Sequence, residues 1–312
     1  MFWSKFRLLR SILCRSSIYR ECPLTATQWV IVDSNGSEFG VGDRVFGASP
    51  DPKVGTLAQY VVVPSSSLAP QPTNVSAIEA SGLAIVVATA YQALVVKLKI
   101  KTGQTVFING GSSSVGSSAV QIAKYMGCKV VATASGKNKA FLQSIGVDEF
   151  IDYTEAPLVK QILSRPSLKF HAILDAAGLT DPALYLNSPS YLLPGGSYVT
   201  CGTFPKGSRA RLGMLRQFFE GKLGPAWLGG VPRQWGIFTV SLEKKDIETV
   251  ADLVTKGKSP ALFLLVRLFA GAVKPTIDSV HSFDRENVMK AYEKLMSKRV
   301  VGKVVVKVTD EE

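Results

Sequence analysis

"FINGGSSSVGSSAVQIAKYMG", residues 107–127, decides the fold. The apolar run at 105–108 has the composition of a buried strand. A Gly/Ser turn follows, and beyond it Val115, Ala119, Ile122, Ala123 and Met126 keep the spacing of one helix face. A strand, a glycine-bearing turn and a helix in succession set a helix N-terminus where a dinucleotide pyrophosphate is held. Gly111 and Gly116 stand at fingerprint spacing, with Ser113 in the middle glycine's place. Three readings fit the turn. A nucleoside triphosphate loop needs a lysine at position 117, where this chain has Ser117. A Gly/Ser turn can also be purely structural. In the third reading Ser113 and Ser114 replace glycines of a dinucleotide loop. A serine there costs backbone freedom if φ must be positive, but its hydroxyl can donate to a phosphate.

Outward from this turn the chain alternates. Strands are expected at 105–109, 129–134, 149–153, 170–178 and 196–202, with helices at 115–126, 137–145, 156–164 and 181–187. Short strands alternating with helices of this length predict an α/β fold with a doubly wound parallel sheet. Before it, 28–34, 41–47 and 57–64 read as strands of a small antiparallel unit, and 76–99 reads as helical. After it come a helix at 286–296 and a strand at 303–308.

The end of the second parallel strand bears on the cofactor. An NAD site carries an acid about twenty residues after the glycine turn, to bind the ribose 2′-OH. Here the segment reads Thr133-Ala134-Ser135-Gly136-Lys137-Asn138-Lys139. Ser135 can donate to a 2′-phosphate and the lysines can neutralise it, so NADPH is the expected cofactor.

Composition narrows the class. The 312 residues suffice for two domains, and 46% hydrophobic with 19% charged residues describes a globular chain. A net charge of +12 favours anionic partners, or is a basic surface without a dedicated partner; no nucleic-acid motif accompanies it. Cys14, Cys22, Cys128 and Cys201 are scattered and only His171 and His281 join them, so neither a zinc site nor a disulfide framework is expected. The first twenty residues carry five basic side chains and no acid, which reads either as a mitochondrial transit peptide or as an irregular start. The expected compartment is cytoplasmic, with mitochondrial as the alternative. The apolar run 260–273 is too short to span a bilayer and contains Arg267.

In order, "GDRVFG", "AQYVVVP", "ATAYQAL", "GGSSSVGSSAVQIAK", "SIGVDEFIDY", "ILDAAG" and "GKVVVKV" resemble the medium-chain dehydrogenase/reductase superfamily. The nearest branch is the zinc-free quinone oxidoreductase (zeta-crystallin-like) and enoyl reductase group, with its fungal zinc-type alcohol dehydrogenase-like members. The resemblance runs from about Val30 to Val308. It implies a Rossmann domain inserted in a GroES-like β domain, with the active site in the cleft between them. On that pattern 1–27 is a basic N-terminal segment, 28–88 with 276–312 a partial GroES-like domain, and 89–275 the NADPH-binding domain. The resemblance also implies site residues. Ser112, Ser113, Ser114 and Val115 would meet the pyrophosphate; Ser135, Lys139 and Tyr153 the 2′-phosphate; Ala176, Gly178, Cys201 and Gly202 the adenosine and nicotinamide ends. Thr89, in "ATAYQAL", matches a threonine near nicotinamide and substrate, although a helix threonine can equally bond its own backbone.

The pattern departs from the family in two places. The first GroES-like strands expected before "VIVDSNGS" are replaced by the basic segment, and 259–272 is inserted. The implied function is zinc-independent, NADPH-dependent reduction of a quinone or an activated C=C bond in a small-molecule substrate, with no membrane span and a homodimer as the usual assembly. The alternative is a catalytically silent dinucleotide-binding protein with a trafficking, sensing or interaction role.

Overall fold

The structure, a computed structural model, describes residues 11–17, 26–49, 57–178, 182–201, 230–237, 244–254, 273–297 and 299–308, with positions 212, 213, 215, 216, 219, 239 and 240. Its contacts divide the chain into two compact units, 1–88 with 241–312, and 89–240.

The first unit begins with β1 (Ser11–Ser17), β2 (Ala26–Asp33), β3 (Arg44–Ala48), β4 (Tyr60–Pro64) and β5 (Leu68–Pro70). They form one sheet in the order β4-β1-β2-β3-β5, antiparallel throughout. Trp29 and Ile31 of β2, Val45 of β3, and Val61 and Val63 of β4 bury into a shared core. Strand β1 comes from within the segment that the sequence sets aside as a basic leader or irregular start. It lies between β2 and β4, pairing Cys14 with Ile31 on one side and with Val61 on the other. Backbone donors and acceptors of both neighbours are thereby satisfied, a demand that composition does not reveal.

Helix α1 (Ala77–Ser81) starts at a capping box, in which Ser76 accepts the Glu79 amide and Glu79 reaches back to the Ser76 amide. The helical run expected over 76–99 breaks at Gly82. It resumes as α2 (Ala84–Tyr91), which widens into a π-helical turn at Gln92–Lys97.

The second unit is built on strands β6 (Thr105–Asn109), β7 (Lys129–Ala134), β8 (Glu149–Asp152), β9 (Phe170–Asp175), β10 (Leu192–Thr200) and β11 (Gln234–Ile237). Helices α3 (Ser114–Tyr125), α4 (Lys139–Ser144), α5 (Leu158–Leu163) and α6 (Ala183–Leu186) connect them. All pairings are parallel, in the order β11-β10-β9-β6-β7-β8. This is the doubly wound α/β order, and its direction of winding reverses between β6 and β9. The strands read as near-continuous apolar runs because both faces are covered. Phe107, Val131, Ile151, Phe170, Ile173 and Tyr198 share the core.

The chain then returns to the first unit. Helix α7 (Lys244–Val254) buries Ile247 and Val250 and packs on β5, so the second unit closes at 240 and not at the expected 275. Strands β12 (Ile277–Ser282) and β13 (Lys303–Lys307) pair in parallel across helix α8 (Arg285–Met296), around Ala291 and Val304–Val306. The expected insertion 259–272 lies outside the described residues. Among the described residues no helix is long and apolar enough to cross a membrane.

Candidate dinucleotide site

Beyond Asn109 the chain turns sharply. Gly110 takes φ +80°, a left-handed conformation, and a Cβ there would press on Ala177 at 3.1 Å. The Gly110 amide donates to Thr133 Oγ1 (2.9 Å), the Gly111 amide to the Thr133 carbonyl (2.8 Å), and the Ser113 amide to the Gly110 carbonyl (3.0 Å). Helix α3 then begins. Ser113 is its N-cap at φ −69° and ψ 163°, with Oγ accepting the Gly116 amide at 3.0 Å. The position read as a displaced glycine therefore has ordinary extended backbone, and the serine costs no strain. Gly116 does the close packing, since a Cβ on it would lie 2.1 Å from the Gly110 carbonyl oxygen. Ser112–Val115 are partly exposed, the first turn of α3 carries no acid, and the Val115 amide belongs to the first turn, which lacks intrahelical acceptors. These features fit a pyrophosphate: oriented amides, hydroxyl donors and a helix N-terminus without a competing negative charge.

On one side of this turn, β7 and β8 end together. Ala134 faces Asp152, and the Tyr153 amide donates to the Ala134 carbonyl (3.3 Å). Ser135 and Tyr153 thus leave adjacent strand ends, and exposed Lys139 opens α4 just beyond. The structure also brings in a group that sequence reasoning missed. Asp152 accepts from Thr154 Oγ1 (2.6 Å), the Thr154 amide (2.8 Å) and the Gly136 amide, which hold its carboxyl below the usual range. A search for an acid at the end of β7 alone could not find it, because register brings it from the neighbouring strand.

On the other side, Ala176 and Gly178 follow β9. The Ala176 amide donates to the Asn109 carbonyl (3.0 Å), and Gly178 turns at φ +100°. Cys201 follows β10, its amide donating to the Asp175 carbonyl (3.2 Å). Burial first, and then the Asp175 charge, push the Cys201 thiol up to about 12, so it is a neutral thiol at physiological pH. Gly202 lies outside the described residues.

Beneath these turns is a polar group that sequence reasoning did not anticipate. Thr133 Oγ1 donates to Asn109 Oδ1 (2.7 Å), Asn109 Nδ2 donates to Asp175 Oδ1 (2.9 Å), and the Tyr198 hydroxyl donates to Asp175 Oδ2 (3.0 Å). The Ala177 amide also donates to Asp175 Oδ1 (3.2 Å). Asp175 is 3% exposed; burial pushes its carboxyl up, against the pull of these donors. The only hint in the sequence is an acid closing the apolar run "FHAILD".

Thr89 sits apart from these strand ends in chain position, buried in α2 and three residues before the π-helical turn begins at Gln92. Among the described residues no three His, Cys, Asp or Glu side chains converge to hold a metal ion.

Residues 114–241 match the protein family described as zinc-binding dehydrogenase. Among curated proteins, the trans-enoyl reductase pgmF of Aspergillus terreus is 33% identical over 271 residues, covering 86% of this chain and 70% of its own length. Among solved structures, the quinone oxidoreductase of Coxiella burnetii superposes with a TM-score of 0.74 at 21% identity, covering 96% of this chain and 91% of its own. A mycobacterial protein solved in complex with NADPH superposes with a TM-score of 0.70 at 20% identity, covering 96% and 92%.

Proposed function

The chain belongs to the medium-chain dehydrogenase/reductase superfamily, and on that premise we propose that it is an NADPH-dependent, zinc-independent oxidoreductase reducing a quinone or activated C=C bond. The observation that carries this reading is the turn between β6 and α3. Its left-handed Gly110, close-packed Gly116 and acid-free helix N-terminus lie at the reversal of the sheet's winding, where doubly wound folds bind ligands. The enoyl reductase and quinone oxidoreductase likenesses support the reaction class.

When bound, the dinucleotide supplies the hydride. The protein's own residues have simpler tasks. Amides and hydroxyls of Ser112–Val115 would hold the pyrophosphate. Ser135, Lys139 and Tyr153 would meet the 2′-phosphate, with Asp152 tied up by Thr154 and Gly136. Ala176, Gly178, Cys201 and Gly202 would line the rest of the dinucleotide. Thr89 would donate its hydroxyl to the oxyanion that develops on an enone or quinone. Four scattered cysteines and two histidines support a reaction without zinc.

Thermal-shift titration tests the cofactor. At about a hundred times Kd a ligand adds roughly 2.7 kcal/mol, a rise in Tm on the order of 5–10 °C for a unit of this size. NADPH is expected to give that rise at lower concentration than NADH, and equal shifts would refute the preference. NADPH oxidation with a panel of quinones and enones then tests catalysis. Thr89→Val should lower kcat on the order of tenfold with Kd for NADPH unchanged. Tight NADPH binding without turnover of any acceptor would favour a non-catalytic dinucleotide-binding role.

A further inference from the structure

We infer that Thr133, Asn109, Asp175 and Tyr198 are the positioning residues of the dinucleotide site, setting the two backbone turns at Gly110 and at Ala176–Gly178 on which the cofactor rests. This depends on the dinucleotide reading of the β6–α3 turn.

The four side chains come from four different strands, β6, β7, β9 and β10, and the three bonds between them span 24, 66 and 23 positions of sequence. Nothing local requires them. One position back from Asn109, Thr133, Asp175 and the end of β10 the sheet is apolar, with Ile108, Ala132, Leu174 and Val199 all buried. Apolar side chains at the strand ends would pack as well without the desolvation cost of a buried carboxylate. Asn109, Thr133 and Asp175 share the level just below the turns, and Tyr198 reaches Asp175 from two positions back along β10. The donors captured from the backbone belong to those turns: Gly110 through Thr133, and Ala177 through Asp175.

The bonds also run in one sense. The Gly110 amide donates to Thr133 Oγ1, Thr133 Oγ1 to Asn109 Oδ1, and Asn109 Nδ2 to Asp175 Oδ1, while Asp175 Oδ2 receives the Tyr198 hydroxyl. That order fixes which way the Asn109 amide points, and it must end on a group that only accepts. Among side chains with two acceptor oxygens and no donor, an ionised carboxylate is the one that meets this need. Asparagine at 175 would turn an N–H₂ towards one of its donors. With the chain of bonds complete, the turns on both sides of the winding reversal are locked before any ligand arrives, which lowers the ordering cost of binding.

Thr133→Val keeps the shape of the side chain and removes the hydroxyl, Thr133→Ser keeps the hydroxyl, and Tyr198→Phe removes one donor while keeping a ring that packs on Tyr185. The full-length variants are titrated with NADPH, following nicotinamide fluorescence at a temperature where each is folded, and their unfolding midpoints are recorded without ligand. Thr133→Val and Tyr198→Phe should each raise Kd about tenfold, with Thr133→Ser within about twofold of the parent. A lowered midpoint with unchanged Kd in either variant would overturn the inference by reducing the network to a structural role. If Thr133→Val does not fold, Tyr198→Phe decides alone. A parent protein that binds neither NADPH nor NADH would refute the dinucleotide reading itself, and this inference with it.

Discussion

Ser113 shows how one side chain can mimic a broken motif and yet satisfy it. Its backbone is extended, at φ −69°, and its Oγ caps α3, so the position has no use for the freedom of glycine. Ser113→Gly would restore the usual fingerprint spacing, but it forfeits the cap and loosens the unfolded chain. It should lower stability by about 1 kcal/mol, read as a shift in urea midpoint; a gain in stability would contradict the cap. Cys201 carries the opposite lesson. It lies at the end of β10, where burial first and the Asp175 charge next push the thiol up to about 12, so it stays protonated at neutral and mildly alkaline pH. Iodoacetamide should therefore leave Cys201 unmodified in the folded protein and label it fully in denaturant, as peptide mass spectrometry would show. The identity of these residues was legible from the sequence. Their conformation and ionisation were not, because both depend on neighbours distant in the chain.

At the scale of elements, the helix–strand contact at Gly116 governs the site. A methyl group there would meet the Gly110 carbonyl at 2.1 Å, and the obstacle is backbone, which cannot rotate away. Gly116→Ala should push α3 off the β6 end, costing about 2–3 kcal/mol and abolishing NADPH binding together. Unaltered stability in a urea titration would mean that the helix has room to shift. Alternating periodicity was enough to locate β6 to β10 and the helices between them, since each obeys a local pattern. Strand β1 escaped it. Its residues lie in a basic stretch whose pairing is set by β2 and β4, and no periodicity within seven residues announces that.

For the molecule as a whole, charge is the property with the longest reach. A surplus of twelve positive charges, with exposed Lys137 and Lys139 beside the β7 end, should make NADPH binding more salt-sensitive than NADH binding. Lys139→Ala should raise Kd for NADPH several-fold and leave Kd for NADH nearly unchanged, in parallel fluorescence titrations; equal losses for both cofactors would move the 2′-phosphate contact elsewhere. The sequence by itself determined the class of fold, the strand–turn–helix at 105–125 and the membership of a reductase superfamily. Each of these is written in near neighbours: apolar spacing, glycine placement and short motifs in a set order. Only the tertiary structure decided that Thr133, Asn109, Asp175 and Tyr198 meet beneath the turns, that Asp152 comes beside Gly136, and that residues 11–17 complete a sheet. Those outcomes follow from strand order and register, which depend on burying apolar faces and pairing backbone groups between segments far apart in the chain.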